Sequence, residues 1–248
     1  MKNILLILFS VMMFTNLSHS QNLDPVTYKD GDQQLDGLVT ANAGKTLPGV
    51  LILPAWKGID DEARTAALEL EKEGYIAFIA DIYGKGNIPG DNASAAETSG
   101  YYKTNYDAYQ HRISLALDEL KKAGADTDKI AVIGYCFGGT GALEVMRAGF
   151  PVQGVVSIHG GLGKDESRPN GAISTKVLVE NPAEDRSVTP AIYDALVKEL
   201  KDGKADWQII TYADSGHTFT DPASPEYNET MAKRAWQHTL MFLEEVLE

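Results

Sequence analysis

The sequence predicts an α/β domain with a mostly parallel central sheet and helices on both faces. From Pro48 onward, short apolar runs rich in β-branched residues alternate with segments of helical periodicity, a pattern typical of βαβ units. The chain has 248 residues, of which 44% are hydrophobic and 23% charged, as in ordinary globular domains. This composition excludes a disordered, collagen-like or multi-span membrane protein.

The predicted elements begin with an antiparallel hairpin around the turn dipeptide Asp30-Gly31, at an edge of the sheet. The later strands are continuous apolar runs, as expected of strands covered on both faces. The predicted strands are Val26–Tyr28, Gln34–Thr40, Val50–Leu53, Tyr75–Ala80, Ile130–Gly134, Val152–Ile158, Lys176–Glu180 and Trp207–Tyr212. The predicted helices are Asp60–Gly74, Ser99–Lys122, Phe137–Ala148, Pro190–Leu200 and Pro225–Leu247. Two longer loops, Gly84–Thr98 and Gly160–Ser174, are expected to overhang a site.

The first twenty residues have the pattern of a cleaved secretory signal peptide. Lys2 precedes an almost wholly apolar run from Ile4 to Phe14, and Ser18-His19-Ser20 places small residues before a cleavage site at Gln21. The run is shorter than the ~20 residues needed to span a bilayer, although a buried helix or a membrane anchor remains an alternative. We therefore expect residues 1–20 to be removed, and residues 21–248 to form one exported domain, periplasmic or secreted, with no membrane insertion.

Charge and cysteine content restrict the partners and the chemistry. The 35 Asp and Glu residues outnumber the 22 Lys and Arg residues, for a net charge of −13, which disfavours nucleic acid and anionic membranes. A single cysteine, Cys136, excludes an intramolecular disulfide, a dithiol pair and a cysteine-rich zinc site. The histidines show no metal-ligand spacing, so no metal or cofactor is predicted. We expect a small-molecule substrate and a monomer or small homo-oligomer.

The strongest motif is the stretch Gly134-Tyr135-Cys136-Phe137-Gly138-Gly139, which lies between a predicted strand and a predicted helix. It matches the G-x-S-x-G nucleophile elbow, with cysteine in place of serine. The flanking glycines fit a sharp, strained turn, and the start of a helix favours a thiolate. The alternative is a small buried core cysteine, which would not require three glycines beside it.

A thiolate nucleophile requires a base and an orienting acid, and both follow in the chain order typical of this motif. Asp185 lies in the loop after strand Lys176–Glu180, with Glu184 as an alternative, and His217 lies in the loop after strand Trp207–Tyr212. A solvated loop acid and a surface histidine are the simpler interpretations of Asp185 and His217 taken singly. Together with the elbow they predict a Cys136, Asp185, His217 triad at one edge of the sheet.

Two backbone N–H groups are expected to form an oxyanion hole. The first belongs to Phe137, directly after the nucleophile. The second is assigned to Trp56 in the loop after strand Val50–Leu53, with Lys57 as an alternative donor and a pocket wall as an alternative role for Trp56. His159 follows another strand at the same edge and either lines the pocket or is a hydrogen-bonded structural histidine.

Over nearly the whole mature chain these stretches resemble the dienelactone hydrolase family of α/β-hydrolases. The elbow and the Gly216–Pro222 segment around His217 are the most specific stretches. The remaining ones are Leu51–Pro54 with Gly58, Ala80–Gly84, Ser157–Gly161, Ala183–Asp185, Tyr227 and Arg234–Trp236. The resemblance implies a compact α/β-hydrolase fold without a large cap domain, a catalytic Cys136, Asp185 and His217, and Tyr83, Lys85, His159 and Phe219 in or near the substrate pocket.

Two positions depart from the family members that open dienelactones. Ala55 stands where those members carry a glutamate that contacts the resting cysteine, and Lys85 or nothing stands where an arginine holds the substrate carboxylate. We therefore expect a carboxylic ester hydrolase acting on another small ester, a lactone or a thioester. An acyltransferase with the same triad and a non-catalytic ligand-binding protein on the same fold are the alternatives, and a prolyl-type peptidase is disfavoured because the chain has no room for a cap or propeller.

Overall fold

An eight-stranded sheet forms the centre of the protein in a computed structural model that describes residues 22–248. The predicted signal peptide, residues 1–20, lies outside the described residues. The strands are β1 (Leu23–Asp30), β2 (Gln33–Thr40), β3 (Leu47–Leu53), β4 (Ile76–Ile79), β5 (Ala125–Tyr135), β6 (Gly154–Ile158), β7 (Lys176–Pro182) and β8 (Trp207–Tyr212). Their order is β1-β2-β4-β3-β5-β6-β7-β8. The β1–β2 hairpin is antiparallel and joins β4 antiparallel, and all other pairs are parallel.

Helices cover both faces of the sheet, as predicted. The helices are α1 (Asp61–Lys72), α2 (Asn92–Thr104), α3 (Tyr106–Lys122), α4 (Phe137–Arg147), α5 (Pro190–Asp202) and α6 (Glu229–Leu247). Helices α2 to α5 contribute to the core on one face, and α1 and α6 contribute to the core on the other. Strands β4 and β6 are buried along their whole length, which explains their continuous apolar sequence. None of the helices in residues 22–248 is long and apolar enough to cross a membrane.

Two helix predictions were wrong in their boundaries. The single helix expected over Ser99–Lys122 is two helices, α2 and α3, because Asn105 leaves the helical conformation at φ −108° and ψ 65°. Its side-chain Nδ2 donates to the carbonyl of Tyr101 at 2.8 Å, which ends α2. Helix α2 also begins earlier, at a capping box formed by Asp91 and Ser94. The terminal helix begins at Glu229 rather than near Pro225, because Asn228 is its N-cap.

Candidate active site

Cys136 lies at the turn between β5 and α4, where it is the N-cap residue of the helix. Its backbone has φ +52° and ψ −110°, a conformation that costs free energy for any residue with a side chain. The turn places the thiol at the carboxyl edge of the sheet. The loops after β7 and β8 reach the same edge because both strands run parallel to β5.

The glycines around Cys136 are required by close backbone contacts. A Cβ atom at Gly134 would lie 2.0 Å from the carbonyl oxygen of Gly138, and one at Gly138 would lie 1.9 Å from that of Leu53. A Cβ at Gly139 would lie 2.7 Å from Cα of Gly160. Glycine at these three positions therefore allows α4 to begin directly against the end of β3 and the segment that follows β6.

Cys136, His217 and Asp185 form one hydrogen-bonded chain, which we call the thiol chain. His217 Nε2 lies 3.0 Å from Cys136 Sγ, and His217 Nδ1 lies 2.6 Å from Asp185 Oδ2. The other carboxylate oxygen of Asp185 accepts hydrogen bonds from the N–H and the hydroxyl of Ser187, at 2.8 and 2.7 Å. The structure thus pairs His217 with Asp185 rather than with the alternative acid Glu184, which is exposed.

The thiol chain favours a positive charge on His217. Its pKa is raised from 6.5 to about 10, first by the hydrogen bond to Asp185 and then by the one to Cys136, against the opposing effect of burial. Burial disfavours the ionised form of Asp185, but the hydrogen bonds from His217 and Ser187 outweigh it and hold its pKa below the ordinary value. The His217 Nδ1–H therefore donates to an ionised Asp185 carboxylate.

A second hydrogen-bonded chain begins at the backbone N–H of Cys136, and we call it the amide chain. The N–H lies 3.1 Å from His159 Nδ1 and 3.0 Å from the carbonyl oxygen of Ile158. His159 Nε2 lies 2.7 Å from Thr220 Oγ1, and the Thr220 hydroxyl donates to Glu62 Oε1 at 2.6 Å. The sequence prediction did not include Glu62 or Thr220.

The geometry determines the proton positions along the amide chain. A backbone N–H only donates, so His159 Nδ1 is an acceptor and its ring proton lies on Nε2. That proton is donated to Thr220, whose own hydroxyl hydrogen points to Glu62. His159 is fully buried, and its pKa is lowered to about 3, first by burial and then by repulsion from His217. His159 is therefore neutral at physiological pH.

Of the two residues predicted to supply oxyanion donors, Phe137 directly follows Cys136, and Trp56 is connected to Phe137 through the side chain of Tyr83. Phe137 stacks on Tyr109 at a centroid distance of 4.5 Å and on Tyr83 at 5.7 Å. The Tyr83 hydroxyl donates to the carbonyl of Trp56 at 2.8 Å, and that of Tyr109 donates to the carbonyl of Phe137 at 3.0 Å. These contacts hold both backbone segments in place.

A cavity of about 650 Å³ opens over Cys136 and His217. Its walls include the apolar side chains of Leu162 and Ile192, and two cations, Lys103 and Arg186, that the sequence prediction did not include. Two carboxylates, Glu184 and Glu226, line it as well. Lys103 reaches the cavity from the last turn of α2. The prediction of one helix over Ser99–Lys122 did not place a helix end at this position.

None of the four residues expected in or near the pocket belongs to the walls of this cavity. Phe219 is fully buried and stacks on Tyr212 at 5.2 Å. Lys85 is exposed over the edge hairpin, where its N–H donates to the carbonyl of Gln34. Tyr83 is buried beneath the Trp56 loop, and His159 lies in the amide chain, which is the structural alternative named for it. Within residues 22–248, no group of three or more His, Cys, Asp or Glu residues is arranged to hold a metal ion.

Comparison with known proteins leads to the same family that the sequence motifs resemble. The model of the dienelactone hydrolase family matches residues 35–247. A relative from Bradyrhizobium sp, named "Probable 2-oxo-3-(5-oxofuran-2-ylidene)propanoate lactonase", is 24% identical over 229 residues, covering 86% of this chain and 90% of the relative.

Solved structures share the fold. A dienelactone hydrolase-like promiscuous phosphotriesterase from metagenomic libraries is 32% identical with a TM-score of 0.85, and the match covers 92% of this chain and 99% of that chain. Pyrococcus horikoshii acylaminoacyl peptidase has a TM-score of 0.68 at 15% identity, covering 92% of this chain and 42% of that chain. The predicted α/β-hydrolase fold is confirmed.

Proposed function

Because the chain belongs to the dienelactone hydrolase family, we propose that it hydrolyses small carboxylic esters, lactones or thioesters through an acyl-enzyme on Cys136. The observation that carries the proposal is the thiol chain. A nucleophile within hydrogen-bond reach of a base, itself oriented by a carboxylate, is the arrangement that acyl transfer requires. The arrangement stands in a cavity large enough for a small ester.

In the proposed resting state, Cys136 is a thiolate and His217 an imidazolium. The raised pKa of His217 supports this assignment, because its hydrogen bonds to Asp185 and Cys136 are the two largest causes of the shift. The start of α4 adds the favourable field of a helix N-terminus to the negative sulfur. This pair performs the activation that a glutamate contributes in members that open dienelactones, where this chain has Ala55.

Acylation begins when the thiolate attacks the substrate carbonyl carbon and forms the S–C bond. The negative charge moves to the carbonyl oxygen, where the N–H groups of Phe137 and Trp56 stabilise it, each donor contributing roughly 3 kcal/mol. When the tetrahedral intermediate collapses, the C–O bond of the ester breaks and the leaving alkoxide takes the proton from His217 Nε2. The products of this half-reaction are a thioester on Cys136, a neutral His217 and an alcohol.

Deacylation uses the same histidine as a base. Acylation removes the charge on sulfur, which is one cause of the raised His217 pKa, so the histidine becomes a weaker base and stays neutral more readily in the acyl-enzyme. Neutral Nε2 then takes a proton from water as the water oxygen attacks the thioester carbonyl. The C–S bond breaks, the acid is released and the thiolate–imidazolium pair is restored.

The test is turnover of a graded panel of p-nitrophenyl esters, lactones and thioesters by the wild type and by Cys136→Ala. We expect hydrolysis of short-chain substrates that the variant lacks. The panel includes paired esters with and without a carboxylate, because the cavity walls carry two cations, Lys103 and Arg186, and two carboxylates, Glu184 and Glu226, and the pairs show which of these charges act on the substrate. Added alcohol or amine acceptors test for the acyltransferase, which would yield a new ester or amide in place of the free acid.

Two results would contradict the proposal. Undiminished turnover by Cys136→Ala would remove the thiol from the reaction. Saturable binding across the whole panel without thiol-dependent cleavage would identify a non-catalytic binding protein.

Phosphotriesters are a second candidate substrate class. The observation that favours them is the 32% identity, over nearly the whole chain, to a dienelactone hydrolase-like promiscuous phosphotriesterase. The same thiolate attacks phosphorus in such a reaction, so Cys136→Ala is expected to lose activity on paraoxon and on esters together. Paraoxon hydrolysis that survives in Cys136→Ala would show that a different site is responsible.

Export is proposed on the basis of the first twenty residues alone. The expected product begins at Gln21, and intact-mass measurement of protein recovered from the periplasm or medium tests this. Recovery of a chain that retains residues 1–20 in the cytosol would contradict it. We propose a monomer or small homo-oligomer, which sedimentation of the purified protein tests.

A further inference from the structure

A second cavity lies on the face of the sheet opposite to the cavity over Cys136. It lies between α1 and α6 and has a volume of about 790 Å³. Ala66, Ile158 and Trp236 supply apolar and aromatic walls, and Tyr135 closes part of the floor. The proposed hydrolysis makes no use of this space.

Glu180 gives the cavity a carboxyl oxygen that has no hydrogen-bond partner among the described residues. It lines the cavity and is fully buried, and its Oε1 accepts a hydrogen bond from the hydroxyl of Thr239 at 3.0 Å. Its Oε2 has no hydrogen-bond partner within residues 22–248. Buried carboxyl oxygens are almost always hydrogen-bonded, since leaving one unpaired costs free energy. A donor that enters the cavity would remove this cost.

The electrostatics of the cavity favour a cation as that donor. A second lining carboxyl, Glu62, has its pKa raised to about 8, chiefly by burial, with repulsion from Asp60 and Asp221 adding to it. The lining cation Lys233 is engaged outside the cavity, with Nζ 2.6 Å from Glu229 Oε1. Burial raises the pKa of Glu180 as well. Both carboxyl groups therefore favour the neutral acid until a cation enters, and no lysine or arginine of the lining neutralises them.

We propose that this cavity binds a primary organic ammonium that carries an aromatic or branched apolar group. The ammonium has three donors, enough for the unpaired oxygen of Glu180 and for the neighbouring carboxylates. Trp236 provides an aromatic ring for the cation or for its apolar group. A carboxylate ligand is disfavoured because it would lie among Glu62, Glu180 and Asp221, and a neutral isostere could not stabilise the ionised forms of these groups.

Benzylammonium, benzyl alcohol and phenylacetate are suitable probes, titrated calorimetrically into Cys136→Ala at constant ionic strength. This variant removes the reactive thiol, so failure of the proposed hydrolysis does not affect the measurement. We expect one benzylammonium per chain, bound at least about tenfold more tightly than benzyl alcohol, and no binding of phenylacetate. Glu180→Gln keeps an acceptor for Thr239 but cannot ionise when a cation binds, and it is expected to abolish the preference for benzylammonium.

Two further variants separate a local effect from a general one. Asp194→Asn removes one negative charge from the exposed surface of α5 and is expected to leave binding unchanged. Trp236→Leu is expected to weaken benzylammonium binding and provides the test if Glu180→Gln does not fold. Absence of saturable binding at millimolar benzylammonium, equal affinity for benzyl alcohol, or a benzylammonium affinity that neither variant changes would overturn the proposal.

Discussion

His217 and His159 both contact Cys136, and their ring centroids lie 5.4 Å apart, yet the protein favours a positive charge on His217 and a neutral His159. The pKa of His217 is raised to about 10 because its two nitrogens contact Asp185 and the thiol. The pKa of His159 is lowered to about 3 because its ring is buried and because His217 repels a second positive charge. One histidine is therefore suited to hold a proton for transfer, and the other to remain a neutral connector.

The difference follows from which part of Cys136 each histidine contacts. His217 contacts the side chain, where a negative charge is available to stabilise an imidazolium. His159 contacts the backbone N–H, which offers only a donor and so requires a neutral ring. The positive φ of Cys136 costs free energy, so this backbone conformation requires stabilising contacts. We propose that the amide chain provides such a contact and so positions the nucleophile, while the thiol chain takes part in the chemistry. The variants below separate the two roles.

The largest effect is expected for Cys136→Ala, which removes the end of the thiol chain and keeps the N–H of the amide chain. Ester turnover should fall at least about 10,000-fold, while the thermal midpoint should change little. Steady-state kinetics and thermal unfolding of the same sample measure both quantities. A large loss of stability together with the activity would show that the two chains are not separable in this way.

His217→Asn is expected to reduce kcat/KM by about 1,000-fold or more, because both the imidazolium and the base for deacylation are lost. It should also slow iodoacetamide labelling of Cys136 at pH 6, where an ordinary thiol with a pKa of about 8.5 is almost fully protonated. His159→Asn is the matched control, and its labelling rate should stay close to that of the wild type. Equal effects of the two substitutions on labelling would remove the distinction between the histidines.

Asp185→Asn removes the largest cause of the raised His217 pKa. A raised pKa means that the imidazolium is present below about pH 10 and is lost above it, so the variant should lose the imidazolium at lower pH. We expect the alkaline limb of kcat/KM to move to lower pH and the maximum to fall roughly 100-fold or more. Asp194→Asn, on the exposed surface of α5 and outside the cavity walls, should behave as wild type in both measurements.

Thr220→Val breaks the amide chain between His159 and Glu62. The loss of one buried hydrogen-bonded link should lower kcat by about tenfold, with KM little changed and both limbs of the pH profile in place. Thr220→Ser retains the hydroxyl and should restore kcat. A kcat that neither substitution alters, or a shifted pH profile in Thr220→Val, would contradict a positioning role.

The smallest effect concerns stability. His159 has a folded-state pKa of about 3 against an ordinary 6.5, so between these values the unfolded chain binds a proton that the folded chain lacks. Its contribution to stability is complete above pH 6.5 and is lost as the pH falls. His159→Gln should therefore reduce the slope of the unfolding free energy between pH 4 and 6 by up to about 1.4 kcal/mol per pH unit. The exposed His111→Gln is the control, and an unchanged slope in His159→Gln would contradict the buried neutral state.

The thiol chain was accessible from the sequence because each of its members follows a strand. Parallel strands bring their carboxyl ends to one edge, so the order Cys136, Asp185, His217 was sufficient to place the three side chains together. The same reasoning could not choose between Asp185 and Glu184 by position, and the choice depends on which carboxylate the loop turns toward His217.

The amide chain and the cavity walls were not accessible in the same way. Glu62, His159 and Thr220 are far apart in sequence. His159 and Thr220 lie in stretches that resemble the family, but nothing in the sequence indicates that they form a chain with Glu62. Lys103 was hidden because Asn105 interrupts a segment with continuous helical periodicity, and a break held by one side-chain hydrogen bond leaves little trace in that periodicity. The family resemblance implied Phe219 in or near the pocket, although the chain turns Phe219 into the core against Tyr212.

The central claim is that Cys136 becomes acylated during turnover. Rapid acid quenching during p-nitrophenyl acetate hydrolysis, followed by peptide mass spectrometry, measures this directly. The account predicts one acetyl group per chain on the peptide that carries Cys136, formed as fast as the first turnover and absent in Cys136→Ala. Turnover that proceeds with Cys136 unmodified, or with the acetyl group on another residue, would contradict the account.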